Sequence, residues 1–417
     1  MTTVARAGPD RVVVIGAGQA GGWAAKTLRA EGFAGTITLV GAEVHAPHER
    51  PPLSKRFLRE DADPASTHLF KPALLSALAL DWRWGVCAKS IYRAERYVEL
   101  DSGEQVPYDR LILCMGGRAR TLACPGAERA NVHTLRTIED AQRLRDAFAE
   151  ARHVLVVGGG WIGLEAAAAA IQRGAAVHVV EAAPRLCARV LPQRVSALIQ
   201  QMHEGRGVRF SLGRAVVSLH RVGSRTVAVL DDGSTIEADC AVAGIGLVPN
   251  DELARAAGLA CSGGIIVDEH CATSDPAIFA AGDVAVAPNA CARGRVRLES
   301  WQNAQDQGIA AARAALGLHV AYDPIPRFWS DQYDTNVQIL GWPCGAPDAV
   351  VRGHPESGRF LVFATDGPRV RAVIAFNSGR ELRAARALID TDVHAARLGD
   401  PSVALADVAA GSTTGSD

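Results

Sequence analysis

A short apolar strand that runs into G-x-G-x-x-G and then into an alanine-rich helix occurs twice in this chain. The first copy is Val12-Val13-Val14-Ile15-Gly16-Ala17-Gly18-Gln19-Ala20-Gly21 and the second is Val154-Leu155-Val156-Val157-Gly158-Gly159-Gly160-Trp161-Ile162-Gly163. The glycines let a tight turn approach a pyrophosphate and aim a helix N-terminus at it. One copy is a weak signal. Two copies, each in strand-turn-helix context, imply two dinucleotides held by one chain, and electron transfer from a nicotinamide to a flavin is the usual reason for such a pairing.

Each unit needs an acid at the end of its next strand to accept hydrogen bonds from a ribose. In the second unit it is Glu181, 18 positions after Gly163 (181 − 163), at the end of Ala176-Val177-His178-Val179-Val180. A carboxylate there repels a 2′-phosphate and favours NADH over NADPH, and Arg185 is the nearby cation that works against it. In the first unit the matching acid is Glu43, 22 positions after Gly21 (43 − 21). The stiff loop His45-Ala46-Pro47-His48-Glu49-Arg50-Pro51-Pro52-Leu53-Ser54-Lys55 and the Gly282-Asp283 element have no counterpart around the second unit, so the first is expected to hold FAD.

With 417 residues the chain has room for two or three domains. Its net charge of −1 gives no bulk preference for nucleic acid or a membrane surface. No apolar run approaches the length of a membrane span, and Met1-Thr2-Thr3-Val4-Ala5-Arg6 does not open a signal peptide, so a soluble cytoplasmic protein is expected. The nine cysteines form neither C-x-x-C nor C-x4-C, which reads as reduced, mostly buried thiols without a redox pair or a metal-ligand spacing.

Several further segments are more discriminating than the fingerprints. They are Arg50-Pro51-Pro52-Leu53-Ser54-Lys55, Leu135-Arg136-Thr137-Ile138-Glu139-Asp140-Ala141, Gly244-Ile245-Gly246-Leu247-Val248-Pro249-Asn250, Glu299-Ser300-Trp301-Gln302-Asn303-Ala304 and Phe328-Trp329-Ser330-Asp331-Gln332-Tyr333. Together with both fingerprints and Thr273-Ser274-Asp275-Pro276 through Gly282-Asp283, they resemble the FAD-dependent ferredoxin reductases of bacterial oxygenase systems, over about residues 11–395. One departure is Cys114-Met115-Gly116, where many relatives carry Ala-Thr-Gly.

The resemblance implies an α/β, glutathione-reductase-type flavoprotein that binds two dinucleotides and ends in an α+β interface domain. The implied domains are 1–120 and 248–325 for FAD, 121–247 for NADH, and 326–417 at the C-terminus. Ala20, Glu43, Lys55, Ala88, Arg136, Asp283 and Trp301 would line the FAD site, with Trp329 a further flavin neighbour. Lys55 would lie near the reactive edge of the ring, with Glu165 opposite it where nicotinamide enters, and these two form the expected catalytic pair. The rest of the cofactor-binding set is Gly16, Gly18, Gly21, Gly158, Gly160, Ile162, Gly163, Glu181, Gly246 and Gly282.

The activity implied is NADH:ferredoxin oxidoreductase, with electrons passing through FAD to a [2Fe-2S] ferredoxin that feeds a terminal Rieske-type, ring-hydroxylating oxygenase. The alternatives are an NADH oxidase or disulfide-type reductase, and an NADH-sensing flavoprotein without a dedicated acceptor. Within local structure, Thr137 is expected to cap a helix and strands 208–210, 213–219, 226–230 and 235–242 to form an antiparallel insertion. A helix from Arg380 to Ile389 would place Arg380, Arg383 and Arg386 along one stripe, either a solvated face or a docking patch for an acidic ferredoxin, to which Arg293, Arg295 and Arg297 could add. The tail Ala409 to Asp417 is expected to fray.

Overall fold

The computed structural model describes residues 9–60, 62–318 and 321–410. The chain folds as two compact units, each assembled from three separate stretches. The first comprises Met1–Arg50, Asp63–Arg118 and Val248–Pro324, and the second Pro51–Ala62, Ala119–Leu247 and Ile325–Asp417.

In the first unit, valine- and isoleucine-rich runs form a parallel sheet in the order Ile278–Ala280, Arg110–Leu113, Arg11–Ile15, Thr36–Gly41, Asp81–Trp84. Strands covered on both faces are apolar throughout, as in Val12-Val13-Val14-Ile15, every one of them buried. Helix Gln19–Ala30 follows the first strand, and helix Trp301–Ala315 packs on it through small residues. A Cβ on Gly308 would come within 2.4 Å of the Ala20 carbonyl oxygen, so this crossing requires glycine.

The second unit repeats the arrangement with the order Arg209–Leu212, Ala176–Glu181, His153–Val157, Cys240–Ala243, Val132–His133. The expected antiparallel insertion is smaller than the sequence pattern suggests. Only Val216–Val222, Arg225–Leu230 and Thr235–Ala238 form it, while the segment near 208–210 joins the parallel sheet. The run 235–242 is two strands, because Asp239 turns out of the ladder and its carboxylate accepts from the Arg152 and His153 N–H groups at 2.8 Å. The Thr137 cap is present as a full capping box with Asp140 at the start of helix Ile138–Glu150.

The chain ends on a five-stranded antiparallel sheet in the order Arg327–Gln332, Thr335–Gly341, Arg369–Phe376, Arg359–Asp366, Asp348–His354. One face meets Leu164, Val195 and Ile199, and the other meets Leu382, Ala385 and Leu388. The helix expected over 380–389 is α-helical only over Gly379–Ala384 and tightens to a 3-10 turn over Ala385–Leu388. Of the tail expected to fray, Ala409 and Ala410 close a short helix, Leu405–Ala410, and the remainder lies outside the described residues, as do Met1–Arg6.

Chain order puts Pro51–Ala62 inside the first domain, but the segment packs with the second unit. Leu53, Phe57 and Leu58 are buried among Leu135, Ile138, Leu144 and Phe148, and the Arg173 guanidinium donates to the Leu58 carbonyl at 2.6 Å. Burying three large apolar side chains of a twelve-residue excursion stabilises that placement by about 5–9 kcal/mol.

Candidate functional site

The two glycine fingerprints form the same cradle. Gly16 sits at φ +103°, and a Cβ there would lie 2.2 Å from the Cys114 carbonyl oxygen. Gly158, at φ +108°, would meet Gly244 O at 2.5 Å. The third glycines, Gly21 and Gly163, would meet Gly16 O at 1.8 Å and Gly158 O at 2.0 Å, so each holds its helix against its strand. The middle glycines differ: a Cβ on Gly18 meets nothing within 4 Å, and one on Gly160 meets only Gly244 O at 3.8 Å. Open space over the middle glycine is what a backbone needs to receive a pyrophosphate. Gly18 and Gly160 are also the N-cap residues of their helices and offer no side-chain cap, which leaves first-turn N–H groups for an anion. The Gln19 side-chain amide, buried at the first cradle, has no hydrogen-bond partner on either polar atom. Both cradles therefore fit dinucleotides.

The acids stand where the spacing places them. Glu181 accepts from Gly159 N–H at 2.6 Å and from Ala183 N–H at 2.7 Å, which fixes its carboxylate beside the second cradle. Arg185 does not oppose it: its guanidinium donates to Leu191 O, Ser196 Oγ and Ala188 O. In the first unit Glu43 pairs with Arg50 at 2.6 Å. His48 Nε2 lies 3.6 Å from Glu43, but burial, and then the Arg50 charge, bring its pKa down to about 4, so it is a neutral neighbour.

Lys55 and Glu165 come together in the second unit. Pro51–Ser54 forms a 3-10 turn that delivers Ser54 and Lys55 to the helix Trp161–Gln172, and Lys55 Nζ lies 2.9 Å from Glu165 Oε1. Glu165 is only 3% exposed, so it is not a solvated helix acid. Burial of a carboxylate is tolerated only when it is paired and hydrogen-bonded. Here Ser54 Oγ donates to Oε2 and Ser330 Oγ donates to Oε1 at 2.5 Å. Both serines lie in segments that carry the family resemblance, but nothing in those segments marks them as partners of Glu165. They lie 111 and 165 positions from Glu165, and nothing local joins them to it.

The sequence model of the pyridine nucleotide-disulphide oxidoreductase family matches residues 10–308, a span that holds both cradles, Glu181 and the buried Lys55–Glu165 pair. The chain belongs to that family. A second model, reductase C-terminal, matches residues 327–409. The anthranilate 1,2-dioxygenase system ferredoxin–NAD(+) reductase component of Burkholderia cepacia is 41% identical over 399 residues, covering 95% of this chain and 98% of its own. The 3-phenylpropionate/cinnamic acid dioxygenase ferredoxin–NAD(+) reductase component of Photorhabdus laumondii is 39% identical over 377 residues, covering 90% of this chain and 95% of its own. Among solved structures, the covalent putidaredoxin reductase–putidaredoxin complex matches with a TM-score of 0.92 at 36% identity, over 98% of this chain and 100% of that one. The family brings FAD and NAD(H) as cofactors.

The other residues expected in this family's cofactor sites fall as follows. In the first unit, Ala20 is buried at the start of its helix and Ala88 opens the strand Ala88–Tyr92. Gly282 sits at φ +79° and donates its N–H to Gln307 Oε1 at 2.9 Å, and the Asp283 carbonyl accepts from Arg297. Trp301 opens its helix under a Ser300 cap, and its indole N–H bonds Glu49. In the second unit, Arg136 leads into the Thr137 capping box and its N–H donates to Asp140. Ile162 is 42% exposed at the first turn of its helix. Gly246 takes φ +109°, and Trp329 lies half-buried on the strand Arg327–Gln332. Arg295 is exposed and donates to Val267 O, and Arg297 donates to Asp283 O and pairs with Glu299. Arg380, Arg383 and Arg386 are all exposed. Cys114 is buried, and loss of solvation pushes its thiol up to about 12, which leaves no thiolate at neutral pH.

Proposed function

We propose that this chain is the NADH-dependent reductase that charges a [2Fe-2S] ferredoxin, which in turn serves a terminal ring-hydroxylating oxygenase. The observation that carries the reading is the near end-to-end match to a dioxygenase-system ferredoxin–NAD(+) reductase component, including the C-terminal region after residue 327. The nine cysteines include no C-x-x-C or C-x4-C pair, which disfavours the disulfide-reductase alternative, and the buried thiols of Cys114, Cys187, Cys240 and Cys271 fit a reducing cytoplasm.

The first cradle, with Ala20, Glu43, Ala88, Gly282, Asp283 and Trp301, is assigned to FAD, and Arg136, Lys55 and Trp329 are assigned to the same cofactor by resemblance. The second cradle, with Ile162, Glu181 and Gly246, is assigned to NADH. Bound FAD supplies the hydride acceptor and the conversion of a two-electron donor into one-electron deliveries. The protein's own part is electrostatic. The Lys55 ammonium favours the electron-rich reduced ring, and Glu165 holds that ammonium in place where little water reaches it. The first-turn N–H groups of the two helices bind phosphate, and Glu181 selects a ribose with a free 2′-hydroxyl. No side chain need act as a nucleophile.

The test is an anaerobic NADH titration followed by mixing with a [2Fe-2S] ferredoxin. The expected result is a yellow protein bleached by NADH that then reduces the ferredoxin much faster than it reduces oxygen or a disulfide. Equal rates with and without ferredoxin would return the reading to an oxidase or a sensor.

A further inference from the structure

Glu165 Oε1 is the inner end of a longer polar column. Ser330 and Gln332 are two apart on the strand Arg327–Gln332, so they share one face of the terminal sheet, and both are fully buried. Gln332 Nε2 lies 3.1 Å from Ser330 Oγ, and Gln332 Oε1 lies 2.8 Å from His203 Nε2. His203, at the end of helix Gln193–Glu204, is fully buried, and its Nδ1 lies 2.9 Å from the Tyr333 hydroxyl. The Tyr333 ring, half-buried and held at φ +58°, carries the Arg206 guanidinium 5.0 Å from its centroid, and Arg206 pairs with Asp334 at 2.6 Å. The column runs through an apolar cluster that includes Leu164, Val195, Ile199 and Val337.

Hydrogen-bond direction in such a column is all-or-none. The hydroxyl of Ser330 has one proton, the amide of Gln332 one donor end and one acceptor end, and a neutral imidazole one of each. If Ser330 gave its proton to Gln332, Glu165 Oε1 would face a bare oxygen lone pair at 2.5 Å. Lys55 Nζ donates to the same oxygen from 2.9 Å, so Oε1 serves as an acceptor on that side as well. The column therefore runs one way: Tyr333 O–H to His203 Nδ1, His203 Nε2–H to Gln332 Oε1, Gln332 N–H to Ser330 Oγ, and Ser330 O–H to Glu165. The amide in the middle passes orientation and no proton, so the column orients and does not conduct. Burial brings the His203 pKa down to about 4, which keeps the ring neutral and Nδ1 free to accept. A non-glycine residue in the left-handed region persists only where its surroundings over-determine it, and Tyr333 is held there by both its hydroxyl and its ring face.

We propose that His203, Gln332 and Ser330 are positioning residues that lock the Glu165 carboxylate in the one orientation that receives the Lys55 ammonium, with Tyr333 as their outer anchor. The inference deepens the reductase reading, since it concerns the pair assigned there to the flavin.

The test follows Lys55 itself. The FAD-loaded protein is treated with isotopically labelled acetic anhydride at about pH 8, where part of an ordinary lysine population reacts. The rate at Lys55 is read by peptide mass spectrometry against exposed Lys71 as an internal reference. His203→Phe keeps the ring and removes both nitrogens, and is expected to raise the Lys55 rate about threefold or more, the effect of losing one buried hydrogen bond. Tyr333→Phe removes only a hydroxyl from a half-buried ring, carries little folding risk, and is expected to raise it about twofold. His203→Gln restores a donor to Gln332 and should return the rate to that of the wild type. Unchanged Lys55 labelling in Tyr333→Phe, and in His203→Phe or Ser330→Ala where these fold, would overturn the proposal even if melting temperatures fell, because a column that only fills space would lower stability without freeing Lys55. The ferredoxin reading fails separately: a wild-type protein that does not reduce a [2Fe-2S] ferredoxin but keeps this labelling order removes that reading and leaves the column in place.

Discussion

Replacing Glu181 should collapse the discrimination between NADH and NADPH. Its carboxylate is pinned by the Gly159 and Ala183 N–H groups, so it cannot swing away from an incoming 2′-phosphate. A unit charge about 4 Å from another costs about 1 kcal/mol at the dielectric of water, so a dianionic phosphate costs about 2 kcal/mol even when fully screened. A ribose 2′-hydroxyl donating to the same carboxylate gains about 1.5 kcal/mol, the low end for a hydrogen bond to a charged group. The sum, about 3.5 kcal/mol, corresponds to a roughly 300-fold preference for NADH in kcat/KM. Glu181→Ala removes both contributions and should bring the ratio to within about fivefold of unity. Arg185 will not take over the phosphate, because three internal acceptors already occupy its guanidinium. Adding Ala182→Arg, at an exposed position next in the chain, should then favour NADPH by about tenfold through a charge-assisted pair. The assay is the initial rate of anaerobic flavin bleaching over a range of each nucleotide. A Glu181→Ala protein that kept the wild-type ratio would refute the reasoning and locate the discrimination elsewhere.

Lys55→Met should slow flavin reduction by NADH in stopped flow and destabilise the protein by about 3 kcal/mol, since it strands a buried carboxylate that keeps, among the described residues, the Ser54 and Ser330 hydroxyls as donors. Charge reversal at Arg380, Arg383 and Arg386 should leave that half-reaction alone while weakening ferredoxin association and flattening its salt dependence; wild-type ferredoxin kinetics at low ionic strength would return the stripe to an ordinary solvated face. Cys114→Ala should reduce its flavin at the wild-type rate, and Cys114 in the folded protein should resist alkylation at neutral pH, because burial holds the thiol protonated. His203 lies among Gln332, Tyr333 and Phe210 with its pKa depressed, so the unfolded chain binds the proton more readily between pH 6.5 and about 4. Stability should therefore fall with decreasing pH across that window, by about 1.4 kcal/mol per unit for this ring, and thermal melts of His203→Gln should show a shallower slope.

The sequence discloses what is local. A valine run followed by three glycines announces a cradle because its geometry is written within ten residues, and Glu181 can be placed by counting from Gly163. The Lys55–Glu165 pairing is reachable only through the family resemblance, and its serine partners are not reachable at all, since Ser54 and Ser330 approach Glu165 from two other segments. The break at Asp239 is hidden because an aspartate between two apolar strands looks the same whether it faces solvent or ties down a neighbouring chain segment.

The excursion Pro51–Ala62 has a consequence for the order in which this protein can be made. The first unit lacks its edge strand Ile278–Ala280 and the helix Trp301–Ala315 until synthesis has passed Ala315. The second unit recruits its earliest piece before residue 63 and its terminal sheet after residue 325. Leu53, Phe57 and Leu58 thus emerge from the ribosome long before Leu144 and Phe148, the side chains that bury them, exist. A nascent chain carries that apolar segment uncovered through the synthesis of about ninety further residues, a span in which it is open to chaperones and to mispairing. Any hybrid reductase that exchanges the second unit must accordingly take Pro51–Ala62 from the same parent, although those residues sit early in the chain.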